Sequence, residues 1–177
     1  MPGPIDVDFF RVRGKMDRAA MGEILASLPN GRMNVLIDRD SVVSELHIRS
    51  AFMHAARSIL SRRSRARDSA MEVLRYVAGS RQVSEGVSIA GPKDATSVLI
   101  VASAPPDWPV TGDGEVLPEV RVDNLAGAAV ASSLLEHLKG DVAWGGLKAA
   151  ERILAGDPTG LDPELAVLER IALADMR

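Results

Sequence analysis

The sequence predicts a mixed α/β (α+β) fold: a small sheet of three or four strands covered by many helices, in a single compact domain with a C-terminal helical tail. Three observations predict it. First, strand-like runs at Ile5–Arg13, Met33–Ile37 and Val98–Ala102 are separated by unequal numbers of helical stretches. The order reads β, α, β, three helices, β, then helices, which is not regular βαβ alternation. Second, 177 residues, 46% hydrophobic and 25% charged, suit one domain. A chain of that size buries roughly 70% of the surface its unfolded form exposes. Third, aromatic residues make up only 3%, so the core must rest on Ala, Val, Leu, Ile and Met.

Each element has its own justification. Ile5, Val7, Phe9 and Val12 give Ile5–Arg13 the look of a strand. Asp17 opens a helix over Arg18–Ser27 with Ile24, Leu25 and Leu28 on one side, and Pro29-Asn30-Gly31 marks a turn. Met33–Ile37 is a short apolar run suited to a buried strand. Ser44, followed by Glu45, caps a helix to about Leu60 whose face is Ile48, Phe52, Ala55 and Ile59. Ala66, Ala70, Val73 and Val77 repeat that spacing, so a second helix is expected to run to Ala78, with Gly79 ending it. Ser84–Ile89 is a short helix closed by Gly91-Pro92, and Val98–Ala102 is β-branched and uncharged. Residues 103–119 hold four of the ten prolines and read as a long surface loop. Asp123 is read as the cap of a helix to Lys139, Trp144–Ala155 as another helix broken by Gly156-Asp157-Pro158, and Pro163–Asp175 as a terminal helix striped by Leu165, Leu168, Ile171 and Ala172.

Several chemistries are excluded or disfavoured. There is no cysteine, hence no disulfide, thiol nucleophile or thiolate metal site. Neither a G-x-G-x-x-G after a strand nor a G-x-x-x-x-G-K-[ST] is found, so no familiar phosphate cradle is expected. His47 and His54 lie seven apart on one helix, too far for one metal, and His137 sits near a helix end where the dipole favours a cation. Gly112-Asp113-Gly114-Glu115 lacks the following oxygen ligands of a calcium loop. No metal or cofactor is expected. The longest uncharged runs, Ala95–Pro106 and Asn124–Leu135, are 12 residues each, short of the ~20 a bilayer needs, so no membrane span is expected. Asp6, Asp8, Arg11 and Arg13 interrupt any apolar leader, and a cytoplasmic location is the expectation.

Charge is the informative feature. The net −3 hides an asymmetry: residues 1–81 carry 14 Lys/Arg against 9 Asp/Glu, and residues 82–177 carry 7 against 15. Arg57, Arg62, Arg63, Arg65 and Arg67 fall within eleven residues free of acid, with Arg75 and Arg81 following. Only arginine is used there, never lysine. Its planar fork meets phosphate bidentately and stacks on bases. The corner is therefore either a solvated helix-loop-helix face or a nucleic-acid contact.

A longer pattern runs through the same region: His54-Ala-Ala-Arg57, Met71-Glu72-Val73-Leu74-Arg75-Tyr76-Val77-Ala78-Gly79-Ser80-Arg81-Gln82-Val83, then Gly91 and Ser97–Val101. It resembles the small kinase-binding subunit of the KEOPS/EKC complex, the PRPK-binding protein (TPRKB, CGI-type) family, and the run Leu168–Met176 resembles the tail of archaeal members. The resemblance covers about 60 residues, and the Pro-rich stretch 103–119 has no counterpart in it. It implies a division into an α/β domain over 1–160 and a kinase-docking helix over 161–177. It also implies a function without catalysis, in a complex that installs threonylcarbamoyl on the adenosine beside the anticodon of tRNA. A member would bind and stimulate the complex's small atypical kinase/ATPase directly, meet the threonylcarbamoyl transferase subunit only through that kinase, and hold the single-stranded 3′ CCA end of tRNA.

On this reading the tRNA-binding candidates are His54, Arg57, Arg62, Arg63, Arg65, Arg67, Arg75, Arg81 and Gln82. The kinase-binding candidates are Leu165, Leu168, Ile171, Ala172, Leu173 and Met176. Val73, Leu74 and Val77 are core residues of a helix face, Tyr76 is expected in the core with its hydroxyl satisfied, and Glu72 with Arg75 three residues on can close an ion pair of their own. Two alternatives remain at this point. One is a small enzyme acting on a phosphorylated substrate through Asp38, Arg39 and Asp40, which follow a strand. The other is a protein-interaction module without a nucleic-acid role.

Overall fold

The computed structural model describes residues 5–14, 17–28, 32–94, 96–104, 108–109, 120–123, 144–155 and 162–175. Its centre is the strand β3 (Val98–Ala104), all seven residues of which are buried. Two antiparallel neighbours flank it. β2 (Met33–Asp38) sets Leu36 opposite Val101, and β1 (Ile5–Arg13) sets Val12 opposite Leu99. A fourth strand, β4 (Val120–Asp123), lies parallel to β1, giving the order β2-β3-β1-β4.

Side chains alternate across a pleat, so the sheet feeds two apolar layers. Val12, Leu99 and Val101, with Leu36 beside them, meet Ile24 of helix α1 (Arg18–Ser27) and its C-cap Leu28. The Asp17 carboxylate caps that helix by accepting the Ala20 N–H at 2.8 Å. On the other face Val35, Ile37, Ile100 and Ala102 join a larger core built by the remaining helices. This is the mixed α/β arrangement the element order implies.

The larger layer starts with α2 (Glu45–Leu60), whose N-cap Ser44 accepts the His47 N–H. Ile48, Ala51, Phe52 and Ala55 form its inward face. α3 (Ser69–Val77) begins later than the periodicity suggests. Asp68 captures the Ala70 N–H at 2.7 Å and so sets the start, leaving Ala66 in the preceding loop. It ends where expected, at Gly79 with φ +59°, the Gly79 and Ser80 amides bonding back to Tyr76 and Arg75 carbonyls. α4 (Val83–Ala90) packs on α3 so closely that a Cβ on Gly86 would lie 2.6 Å from the Arg75 Cα. α5 (Gly146–Leu154) is pinned at its start by Gly145 N–H to Val42 O, 2.7 Å. α6 (Pro163–Leu173) is capped by Asp162 and sends Val167, Ile171 and then Ala174 into the same core as α2 and α5.

The structure corrects three further expectations. Ser103 and Ala104 are not loop residues but the buried end of β3. Trp108, within the stretch read as a surface loop, is 6% exposed and meets the Phe52 ring edge-on at 5.5 Å. Proline marks where helix stops, not where burial stops. Asp123, read as a helix cap, is the last residue of β4. The helix read after it to Lys139, His137, the Gly112–Glu115 run, the breaker at 156–158 and Met176 lie outside the described residues.

Candidate functional site

The connection from α2 to α3 is built to present cations. Leaving α2, the Ser61, Arg62 and Arg63 amides bond to the carbonyls of Arg57, Ile59 and Ser58. The reversal places Arg62 at φ +58°, in the left-handed region that favours glycine. Ser64 Oγ donates to Ala66 O, and Arg65 reaches across to the Arg81 carbonyl at 3.2 Å, joining this loop to the turn between α3 and α4. Arg57, Arg62, Arg63, Arg65, Arg67, Arg81 and Gln82 are all exposed, and Gln82 does not cap α4 with its side chain. Among the described residues no carboxylate pairs with any of the six arginines.

Arg75 is different. It is 0% exposed, so it cannot offer its guanidinium to an outside ligand and leaves the set of candidate RNA contacts. It donates twice to Glu72, at 2.7 and 3.2 Å, then to Ser80 O and to Asp175 Oδ1, and lies 4.2 Å over the Tyr76 ring. Burial would push the Glu72 carboxyl up, but donation from Arg75, the Ala66 amide and Ser58 outweighs it and holds the carboxyl below the usual range. The Tyr76 hydroxyl donates to Asp175 Oδ2, and burial with that carboxylate raises its pKa to about 12. His54 lies half-buried beside Tyr76, ring centroids 5.7 Å apart. Desolvation and Arg57 lower its pKa against the pull of Asp175, so it is neutral and stands at the edge of the cationic face.

The expected stripe on α6 is split. Ile171 points inward, with Val167 rather than Leu165 or Leu168 as its companion. Leu165 is 62% exposed, Leu173 43%, Ala172 is exposed and Leu168 half-buried. α6 therefore has an apolar inner face and an apolar outer one. Between α6 and the end of α3 runs a groove of about 300 Å³, with Gly79 and Arg81 on one wall and Arg170 and Leu173 on the other. The cationic and apolar candidates meet there.

Asp38, Asp40 and His47 are each engaged within the fold. Asp38 accepts from Arg152 at 2.8 Å, from Thr96 and from the Asp40 amide, while Asp40 pairs with Arg39 and Lys148. Both carboxylates of the proposed enzyme constellation are thus engaged in bracing α5 on the turn after β2. His47 is fully buried, accepting from the Val43 amide on Nδ1 and donating from Nε2 to Val77 O. Among the described residues no group of three or more His, Asp or Glu could hold a metal, and no helix is long and apolar enough to cross a membrane.

A family model, kinase binding protein CGI-121, matches residues 18–142, about seven-tenths of the chain. The chain belongs to the CGI-121 family. A search of curated proteins finds no match to it. The family range takes in α1 to α4, β2 to β4 and the whole arginine corner, and stops short of α5 and α6. Of the site residues in this CGI-121 chain, Asp175 and Ser58 escaped sequence reasoning. An aspartate 100 positions from its arginine leaves no local signal.

Proposed function

We propose that the chain is a non-catalytic accessory subunit of the tRNA threonylcarbamoyladenosine-modifying KEOPS complex. In this role it binds and stimulates the complex's small atypical kinase/ATPase, reaches the transferase subunit only through that kinase, and recruits tRNA by its 3′ CCA end in the cytoplasm. Membership of a kinase-binding family supports the kinase partner. The observation that carries the RNA half is the corner of exposed arginines that pair with no carboxylate among the described residues. Arg57, Arg62, Arg63, Arg65, Arg67 and Arg81 would meet phosphates, with Gln82 and the neutral His54 bordering the bases.

Changing Arg62, Arg63, Arg65 and Arg67 together to Glu should abolish tRNA binding and leave the melting temperature nearly unchanged, since all four are exposed. In the unaltered protein, affinity should fall by about 0.7 log units per log unit of salt for each single-strand phosphate neutralised. A quadruple variant that binds tRNA normally would remove the corner, and tRNA lacking its CCA that binds equally well would remove the single-strand mode. The outer face of α6 favours a second, narrower reading, a protein-interaction module alone. That reading is the one left standing if the unaltered chain captures the kinase but no tRNA.

A further inference from the structure

We propose that Asp175 is a positioning residue: it clasps the end of α6 onto Arg75 and, through Glu72, sets the backbone of the arginine loop. The inference rests on the loop being the anion-binding face. The contacts form one continuous path. Asp175 Oδ1 receives Arg75 Nη2 at 3.1 Å, and its Oδ2 receives the Tyr76 hydroxyl. Arg75 grips both oxygens of Glu72. Glu72 Oε2 in turn accepts the Ala66 N–H at 3.0 Å, and Oε1 accepts Ser58 Oγ at 2.9 Å. Ala66 lies between Arg65 and Arg67, so the last link of the path holds the loop's midpoint to α3, while Ser58 holds the end of α2.

Burial gives the path its stiffness. Arg75 and Glu72 are 0% exposed, whereas Asp175, two residues past the end of α6, is 41% exposed. A buried guanidinium or hydroxyl deprived of its acceptor must find another. Without Asp175, Arg75 is left with the Glu72 carboxylate and the Ser80 carbonyl as its acceptors, and the pair Arg75–Glu72 is drawn off the geometry that receives the Ala66 amide. Whatever keeps α6 docked therefore keeps the loop in shape, and by linkage an anion on the loop favours the docked α6.

The sign of one substitution separates this from plain electrostatics. Asp175→Ala removes a negative charge that acts on His54, which by charge alone tightens RNA binding. The clasp requires the reverse. The test uses the full-length chain and a fluorescein-labelled single-stranded octanucleotide ending in CCA, with Glu169→Gln on the same helix as a charge control. Asp175→Ala is expected to weaken binding three- to tenfold, and Glu169→Gln to leave it equal or tighter. Hydrogen exchange supplies a readout independent of RNA. The Ala66 amide should exchange at least fivefold faster in Asp175→Ala, while the Ile24 amide of α1 stays as protected as in the unaltered chain. Unchanged Ala66 exchange, or binding as tight as normal, overturns the clasp. If the unaltered chain ignores the oligonucleotide, the RNA reading falls, and the Ala66 exchange still decides the clasp.

Discussion

Arg62 sits where a helix exit favours glycine. An L-residue in the left-handed region costs about 1–2 kcal/mol, part of which glycine returns as unfolded-state entropy. Arg62→Gly should therefore stabilise the fold by about 0.5–1 kcal/mol in urea titrations while lowering RNA affinity. A variant neither more stable nor weaker in binding would show the residue to be incidental. His47 makes a second residue-scale prediction. Burial lowers its pKa from 6.5 to about 4, so the folded state excludes a proton that the unfolded chain takes up. Stability from this group is intact above pH 6.5 and is lost as pH falls towards 4. Between pH 7 and 5 the loss should be about 2 kcal/mol. His47→Gln should be less stable at pH 7 and flatter across that window. A parallel pH dependence in the variant would place the titration elsewhere. The burial of Tyr76 and the pairing of Glu72 with Arg75 were both legible in the sequence, because three-residue spacing is a local property. The burial of Arg75 was not, because an arginine's type argues for exposure and only its distant acceptor, Asp175, explains the exception.

At the scale of elements, α6 shows why one stripe was misjudged. Positions 165, 168 and 172 and positions 167, 171 and 174 both repeat at helical spacing, and both sets are apolar. Periodicity cannot choose between them. The choice is made by what surrounds the helix: the Asp162 cap, the hydrogen bond between Ser44 and Glu164, and the clasp at Asp175. Because the inner set belongs to the main core, truncation after Pro163 should lower the melting temperature by about 10 °C, from the lost burial of Val167 and Ile171. Leu165→Glu with Leu173→Glu is the cleaner probe of partner docking. Both side chains are exposed, so the melting temperature should hold while kinase capture is lost. Retained capture would move the docking face off α6. The α3–α4 contact makes a further demand. Gly86→Ala should cost about 1–3 kcal/mol, because the added methyl meets backbone rather than a movable side chain.

Across the described residues, three of the four strands were legible: Met33–Ile37 and Val98–Ala102 as short apolar runs, and Ile5–Arg13 by its spaced Ile5, Val7, Phe9 and Val12. β4 is only four residues long, too short for a period to show, and its pairing to β1 is a matter of topology rather than pattern. The arginine corner was legible as composition. Its attachment to α6 was not, because the path runs through residues far apart in sequence. The strand order has a consequence for how the molecule is made. β1 is synthesised first, yet every one of its partners comes late: Phe9 pairs with Ala102 and Val7 with Val122. At about 5–20 residues per second a ribosome needs roughly 5–20 s to supply β3 after β1. Throughout that interval both edges of β1 are open to pairing with other chains. A nascent chain arrested before residue 98 should therefore crosslink to cellular chaperones through β1, and one released past residue 104 should let go.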